Sequence, residues 1–139
     1  MNNYVKVEMA TTPENVGLAR IIVAGFLSAL DATVEQVTDI KTAVSEAVTN
    51  AIIHGYSDED VVLTIAFNDD IVTIEVIDKG VGIADVDAVR EPMFTTMPDM
   101  ERSGLGFTVM ESFMDTVQVK SKPGAGTTIT LTKKLGLLL

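Results

Sequence analysis

Ser45-Glu46-Ala47-Val48-Thr49-Asn50-Ala51-Ile52-Ile53-His54-Gly55 is the stretch from which the fold of this chain can be read. It lies in an amphipathic run that opens at Thr33, with Gln36 three residues on completing the pattern of a capping box. From there Val37, Ile40, Val44, Ala47, Val48, Ala51 and Ile52 recur at helical spacing and make one apolar stripe. The pattern predicts a helix ending at Gly55, a natural C-cap residue. Glu46, Asn50 and His54 fall one turn apart on a line beside or opposite the stripe. A solvated helix face accounts for a Glu there. Asn in mid-helix is harder to dismiss, because it is a poor helix former that competes for backbone hydrogen bonds. A carboxylate one turn from a carboxamide offers a proton acceptor beside a neutral oxygen ligand for a hard cation such as Mg²⁺.

Downstream, Val61 to Phe67 and Ile71 to Asp78 read as strands joined through Asn68-Asp69-Asp70 in an antiparallel hairpin. The period of two places Asp78 on the apolar face with Val72, Ile74 and Val76. A carboxylate aimed at a core is costly unless paired, although the strand could equally end there with Asp78 capping a turn. Asp78-Lys79-Gly80-Val81-Gly82 favours the inward reading: alternating glycines let backbone approach a flat ligand, and a buried Asp can accept from an exocyclic amine. Asp85 to Glu91 is compatible with a short helix stopped by Pro92. Pro92 to Ser103 has no periodicity and reads as a mobile loop. Ser103-Gly104-Leu105-Gly106 then opens a helix, Phe107 to Met114, whose N-terminus suits an anion such as phosphate. A Gly-x-Gly alone is as often a plain loop; after Glu46/Asn50 and Asp78/Gly80/Gly82 it completes a nucleotide site. Strands from Thr116 to Lys122 and Thr127 to Lys133 flank a Pro123-Gly124-Ala125-Gly126 turn. Thr127 points inward like Asp78, where it can share the base or simply pack as a good strand residue. The apolar tail, Leu135 to Leu139, carries no pattern.

Upstream, Tyr4 to Met9 alternates as a strand. Thr12-Pro13-Glu14 predicts a helix start with Thr12 as N-cap. The helix that follows, Val16 to Leu30, is apolar nearly all round, with Arg20 its only charge. Too short and too charged for a membrane, it either lies sandwiched wholly inside one core or, as expected for so small a domain, buries one face on the sheet and offers the other, Arg20 included, to a second copy or a partner.

The 139 residues are 47% hydrophobic, enough for one domain, residues 1–139, with a real core. Ten Lys+Arg against twenty Asp+Glu give a net charge of −10, which disfavours phosphate-backbone binding to nucleic acid and suits a basic protein partner. The absence of Cys and the single His exclude a disulfide framework and a thiolate or His-rich metal centre. With no signal-peptide pattern and no spanning apolar run, a cytoplasmic protein is expected.

Taken in order, the blocks resemble the ATP-binding domain shared by gyrase, Hsp90, histidine kinases and the MutL repair protein. Glu46-x-x-x-Asn50 is similar to its N box, Asp78-x-Gly80-x-Gly82 to its first glycine box, Ser103-Gly104-Leu105-Gly106 to its second, and Gly126-Thr127 to its terminal Gly-Thr. Over its whole length the chain looks like the small anti-sigma factors with serine kinase activity found in sporulating bacteria, through Ser45 to Tyr56, Phe94-Thr95-Thr96 and Glu101 to Phe107. The resemblance implies a two-layer α/β sandwich of α+β type, a mixed, mostly antiparallel sheet covered on one face by helices. It implies ATP or ADP and Mg²⁺ as ligands, with Asn50 on the metal and Glu46 as general base. It also implies Asp78 and Thr127 at the adenine and the loop from Pro92 to Ser103 as a lid. The partners implied are a sigma factor, an anti-anti-sigma antagonist phosphorylated on serine, and a second copy in a homodimer.

Three activities are compatible with these residues. A protein serine kinase that also sequesters a sigma factor uses all of them. A switch that reads ATP against ADP without transfer leaves Glu46 idle. The catalytic domain of a sensor histidine kinase lacks a spare His here, since His54 falls inside the N box.

Overall fold

The computed structural model describes residues 2–54, 59–80 and 105–136; the side chains of His54 and Leu105 lie outside that description. The expected short helix from Asp85 to Glu91, the loop from Pro92 to Ser103, and Gly82, Ser103 and Gly104 also fall outside the described residues.

The elements run β1 (Asn3–Met9), α1 (Glu14–Leu27), α2 (Val34–Thr49), a π-helical turn (Asn50–His54), β2 (Val61–Asn68), β3 (Ile71–Asp78), α3 (Leu105–Phe113), β4 (Thr116–Lys122) and β5 (Gly126–Lys134). The five strands form one sheet in the order β1-β2-β3-β5-β4, and every described pairing is antiparallel. The expected two-layer arrangement is present, and its mostly antiparallel sheet is antiparallel throughout the described strands.

Alternation along each strand decides the layers. Val61, Leu63 and Ile65 of β2, Ile74 and Val76 of β3, and Ile129 and Leu131 of β5 are buried on one face, under the helices. The other face carries polar residues in register, among them Lys6, Thr64, Glu75, Thr130 and Gln118 in a single row. The core is therefore one slab between sheet and helices. Cutting a fully buried Leu63 or Ile40 to Ala removes about 2–5 kcal/mol of stability.

α2 is the central helix, packed on α1 at one side and α3 at the other. Its capping box is present: the Gln36 backbone N–H donates to Thr33 Oγ1 at 3.0 Å, and the Thr33 N–H donates to Gln36 Oε1 at 2.9 Å. Ile40, Val44, Ala47, Val48 and Ala51 of the predicted stripe are buried, and Val37 and Ile52 pack at its edge. The helix does not run on unchanged toward Gly55. At Asn50 it widens into the π turn, an extra-residue loop of a kind that often marks functional positions.

The start of α1 differs from expectation. Pro13 itself occupies the N-cap position in helical conformation, with no side-chain cap hydrogen bond. Thr12 contributes its carbonyl, which accepts from the Asn15 N–H at 3.0 Å, so its hydroxyl is not the cap. The helix also begins at Glu14 and ends at Leu27, shorter at its end than the apolar run. Ala19, Val23, Phe26 and Leu27 are buried, whereas Leu18 and Ile21 are 44% and 69% exposed and Arg20 is exposed beside them. The second apolar face is thus open within a single chain.

The hairpin between β2 and β3 turns on Asp69 and Asp70, both at positive φ (51° and 68°), the backbone that a tight two-residue turn between twisted strands requires. Leu135, opaque in the sequence, is 1% exposed: its N–H donates to the Asp70 carbonyl at 2.8 Å and its side chain closes the core below the hairpin.

Candidate functional site

The site lies where α2, the N-terminal turn of α3, the end of β3 and the start of β5 approach one another. Glu46 sits on the last turn of α2, half-buried, and Asn50 is the residue at which the helix opens into the π turn. Gly106, in the first turn of α3, is pressed against both. A β-carbon on Gly106 would stand 3.0 Å from Glu46 Oε2, 3.7 Å from Asn50 Nδ2 and 3.9 Å from Asn50 Oδ1. Gly106, the last residue of the second glycine block, is thereby seated directly on the N-box pair from a distant part of the chain.

Asn50 Nδ2 is buried and has no hydrogen-bond partner among the described residues. Leaving a buried polar group unpaired costs about 1–3 kcal/mol, so the fold leaves the amide nitrogen of Asn50 unspent at this place. Its oxygen is a hard neutral donor beside the Glu46 carboxylate. Among the described residues no three acidic or imidazole side chains converge. A lone carboxamide beside a carboxylate is the kind of sparse protein set that suits Mg²⁺ held jointly with phosphate oxygens.

Asp78 ends β3 with only 8% of its surface exposed, and Thr127, its cross-strand partner on β5, is equally buried. The inward placement expected for both residues is found. The Gly80 N–H donates to Asp78 Oδ1 at 2.8 Å, and the Thr127 backbone N–H donates to the same carboxylate. Burial pushes the Asp78 carboxyl above its ordinary value, and these N–H groups hold back only part of the rise. Gly80 is itself buried against this carboxylate.

Gly126 explains how β5 comes so near. At φ +85° it adopts a left-handed backbone, and a β-carbon there would lie 2.2 Å from the Asp78 carbonyl oxygen and 2.8 Å from Lys79 Cα. Only glycine permits that contact. The adjoining residue of β4, Ser121, was not singled out by sequence reasoning. Its Oγ lies 2.9 Å from the Gly126 carbonyl oxygen and 2.8 Å from Thr127 Oγ1. The available signal was alternation: Val117, Val119 and Ser121 share the inward face of β4, and a Ser closing an apolar row faces the site.

Of the sequence-derived candidates, then, Glu46, Asn50 and Gly106 meet at one end, and Asp78, Gly80 and Thr127 at the other. Leu105 supplies the first residue of α3. Arg20 is elsewhere, on the open face of α1, where its guanidinium lies over Gly17 (a β-carbon there would be 4.0 Å from Nη2). No helix of the described residues is long and apolar enough to cross a membrane.

Comparison with known proteins agrees with this geometry. Residues 9–133 match the family model described as a histidine kinase-like ATPase domain. An anti-sigma F factor from Clostridium acetobutylicum is 49% identical over 140 residues, covering 99% of this chain and 98% of the relative. One from Bacillus subtilis is 48% identical over 138 residues, covering 97% and 94%. Among solved structures, the RsbU and RsbW domains of a Mycobacterium tuberculosis protein superpose with a TM-score of 0.71 at 23% identity. That match spans 96% of this chain but 32% of the longer one, and at such identity it speaks for the fold.

Proposed function

This chain belongs to the histidine kinase-like ATPase family and, within it, to the anti-sigma F factors, and from that premise we propose that it is an ATP-dependent protein serine kinase. In this reading it binds and inhibits a sporulation sigma factor and phosphorylates a serine on the anti-anti-sigma protein that antagonises it. The observation that carries the reading is the packing of Gly106 onto Glu46 and Asn50, because it joins a phosphate-type helix N-terminus to a carboxylate and a carboxamide.

The roles follow from the chemistry of each group. The serine hydroxyl of the antagonist attacks the γ-phosphorus of ATP; the new O–P bond forms as the bond from γ-phosphorus to the β–γ bridging oxygen breaks, and ADP leaves. Glu46 takes the hydroxyl proton. Backbone N–H groups of the Ser103-Gly104-Leu105-Gly106 block hold the phosphates, helped by the positive end of α3. Asn50 would hold Mg²⁺, which when bound supplies charge neutralisation across the phosphate oxygens. Asp78, with Gly80 and Gly82 letting backbone approach, accepts from the adenine amine, and Thr127 shares that end of the pocket. Arg20 and its apolar neighbours on α1 belong to the sigma-factor or homodimer contact. The single domain of residues 1–139 carries all of this in the cytoplasm, with neither nucleic acid nor membrane as a direct partner.

Incubation with labelled ATP, Mg²⁺ and a candidate antagonist tests the proposal. Acid-stable label on the antagonist is expected, as phosphoserine survives acid and phosphohistidine does not. Glu46→Ala should bind ATP and transfer nothing. ATP binding without transfer by the unaltered chain would replace the kinase with a nucleotide-reading switch, and transfer by Glu46→Ala at the normal rate would remove Glu46 as the base.

A further inference from the structure

Ser121, Thr127 and Asp78 form one row across β4, β5 and β3: Ser121 is the cross-strand partner of Thr127, and Thr127 of Asp78. All three lie on the inward face. The direction of the hydrogen bonds along this row is assigned by counting protons. A serine hydroxyl has a single proton and a carbonyl can only accept. Ser121 Oγ stands 2.9 Å from the Gly126 carbonyl oxygen, so that proton goes to Gly126. With that proton assigned to Gly126, the 2.8 Å contact between Ser121 Oγ and Thr127 Oγ1, in which either oxygen has the geometry to donate, is left for Thr127 to donate. Thr127 has thereby spent its own proton and can offer the pocket only lone pairs.

The rest of that end of the pocket has the same character. The Asp78 carboxylate already receives the N–H groups of Gly80 and Thr127, and when ionised it too can only accept. Two acceptors side by side suit a ligand group that donates. They repel a carbonyl, whose lone pairs would face theirs with no proton between and whose lost hydration nothing would replace.

We propose that Ser121 is a positioning residue that locks the Thr127 hydroxyl as an acceptor, so that the site prefers a base with an exocyclic amine over one with a carbonyl at the same place. This rests on the nucleotide-binding reading above and adds to it a residue outside the motif blocks. Without Ser121, the Thr127 hydroxyl is released to turn its proton toward the pocket, where it can meet a carbonyl.

The test compares ATP with inosine triphosphate, its 6-oxo counterpart, by calorimetry on the full chain. The unaltered protein should favour ATP strongly. Ser121→Ala should compress the ATP-to-inosine triphosphate affinity ratio by about tenfold, the scale of one redirected hydrogen bond at a desolvated site. Ser121→Thr, which keeps the hydroxyl, should restore the ratio. Ser121→Cys, nearly the same in shape but a weak donor, should behave like Ser121→Ala and guards against a folding defect in the latter. If Ser121→Ala and Ser121→Cys weaken both nucleotides equally and leave the ratio unchanged, the residue is merely structural and the inference is overturned. If the unaltered chain binds neither nucleotide, the nucleotide reading fails first, and the inference with it.

Discussion

Gly106 of α3 touches Glu46 of α2 so closely that a β-carbon at position 106 would stand 3.0 Å from Glu46 Oε2. The obstacle is the far end of a flexible side chain, which can swing aside at small cost. Gly106→Ala should therefore leave thermal stability within about 1 kcal/mol of the unaltered protein. In the proposed kinase Glu46 is the general base, and displacing it by a few tenths of an ångström should slow phosphotransfer by about tenfold or more. The comparison to make is single-turnover transfer against the urea midpoint. Equal losses in both would mean that Gly106 serves packing and does not seat Glu46.

Asp78 makes a prediction about pH. Its carboxyl is raised above 3.8 in the folded chain, chiefly by burial, with the Gly80 and Thr127 N–H groups opposing. A raised carboxyl favours the protonated form in the native state. Its contribution to stability is therefore greatest below the unfolded value and is lost as pH rises through the folded one. Asp78→Asn has no charge to desolvate, so in the absence of nucleotide its melting temperature relative to the unaltered chain should climb between about pH 4 and pH 7. A difference flat across that range would contradict a raised carboxyl. Nucleotide affinity should move the other way, falling by about a hundredfold or more as an acceptor becomes a donor. Unchanged ATP affinity by calorimetry would take Asp78 out of the base pocket.

Gly126 and Gly124 offer an internal control. Both have positive φ, +85° and +78°, but nothing lies within 4 Å of a β-carbon at Gly124. Gly124→Ala should cost about 1 kcal/mol, the strain of a left-handed alanine. Gly126→Ala adds a collision with the Asp78 backbone and should cost about 3 kcal/mol or more. Urea unfolding distinguishes them. Similar midpoints for the two variants would mean that β5 does not press on Asp78 as described.

The open face of α1 predicts a protein contact. Arg20 lies there with Leu18 and Ile21, and reversing its charge should disturb a surface that is apolar around it. If the proposed partners are right, Arg20→Glu is expected to weaken sigma-factor binding by about tenfold or to dissociate the proposed homodimer, read by titration and by light scattering after size separation. A variant that stays dimeric and binds the sigma factor as before would detach Arg20 from either contact.

Much of this molecule is local in origin, and the local part was legible. The Thr33–Gln36 box and the stripe from Ile40 to Ala51 fix α2, because a helix is set by spacing of neighbours along the chain. Alternation fixes which way Asp78 and Thr127 point, since successive strand residues must face opposite ways. At Thr12 local reasoning failed. The helix starts one residue later than the Thr-Pro pattern predicts, so Pro13 takes the N-cap position with no hydroxyl to offer and Thr12 meets Asn15 through its carbonyl.

From the residues alone came the helices and strands, the inward carboxylate and the order of the glycine blocks, all of them consequences of periodicity within short windows. Tertiary structure alone decided that Gly106 rests on Glu46, that Gly126 meets the backbone of Asp78, and that Ser121 Oγ meets the hydroxyl of Thr127. Those contacts join residues separated by whole elements, and strand order and helix packing, which no local pattern encodes, set the distances between them.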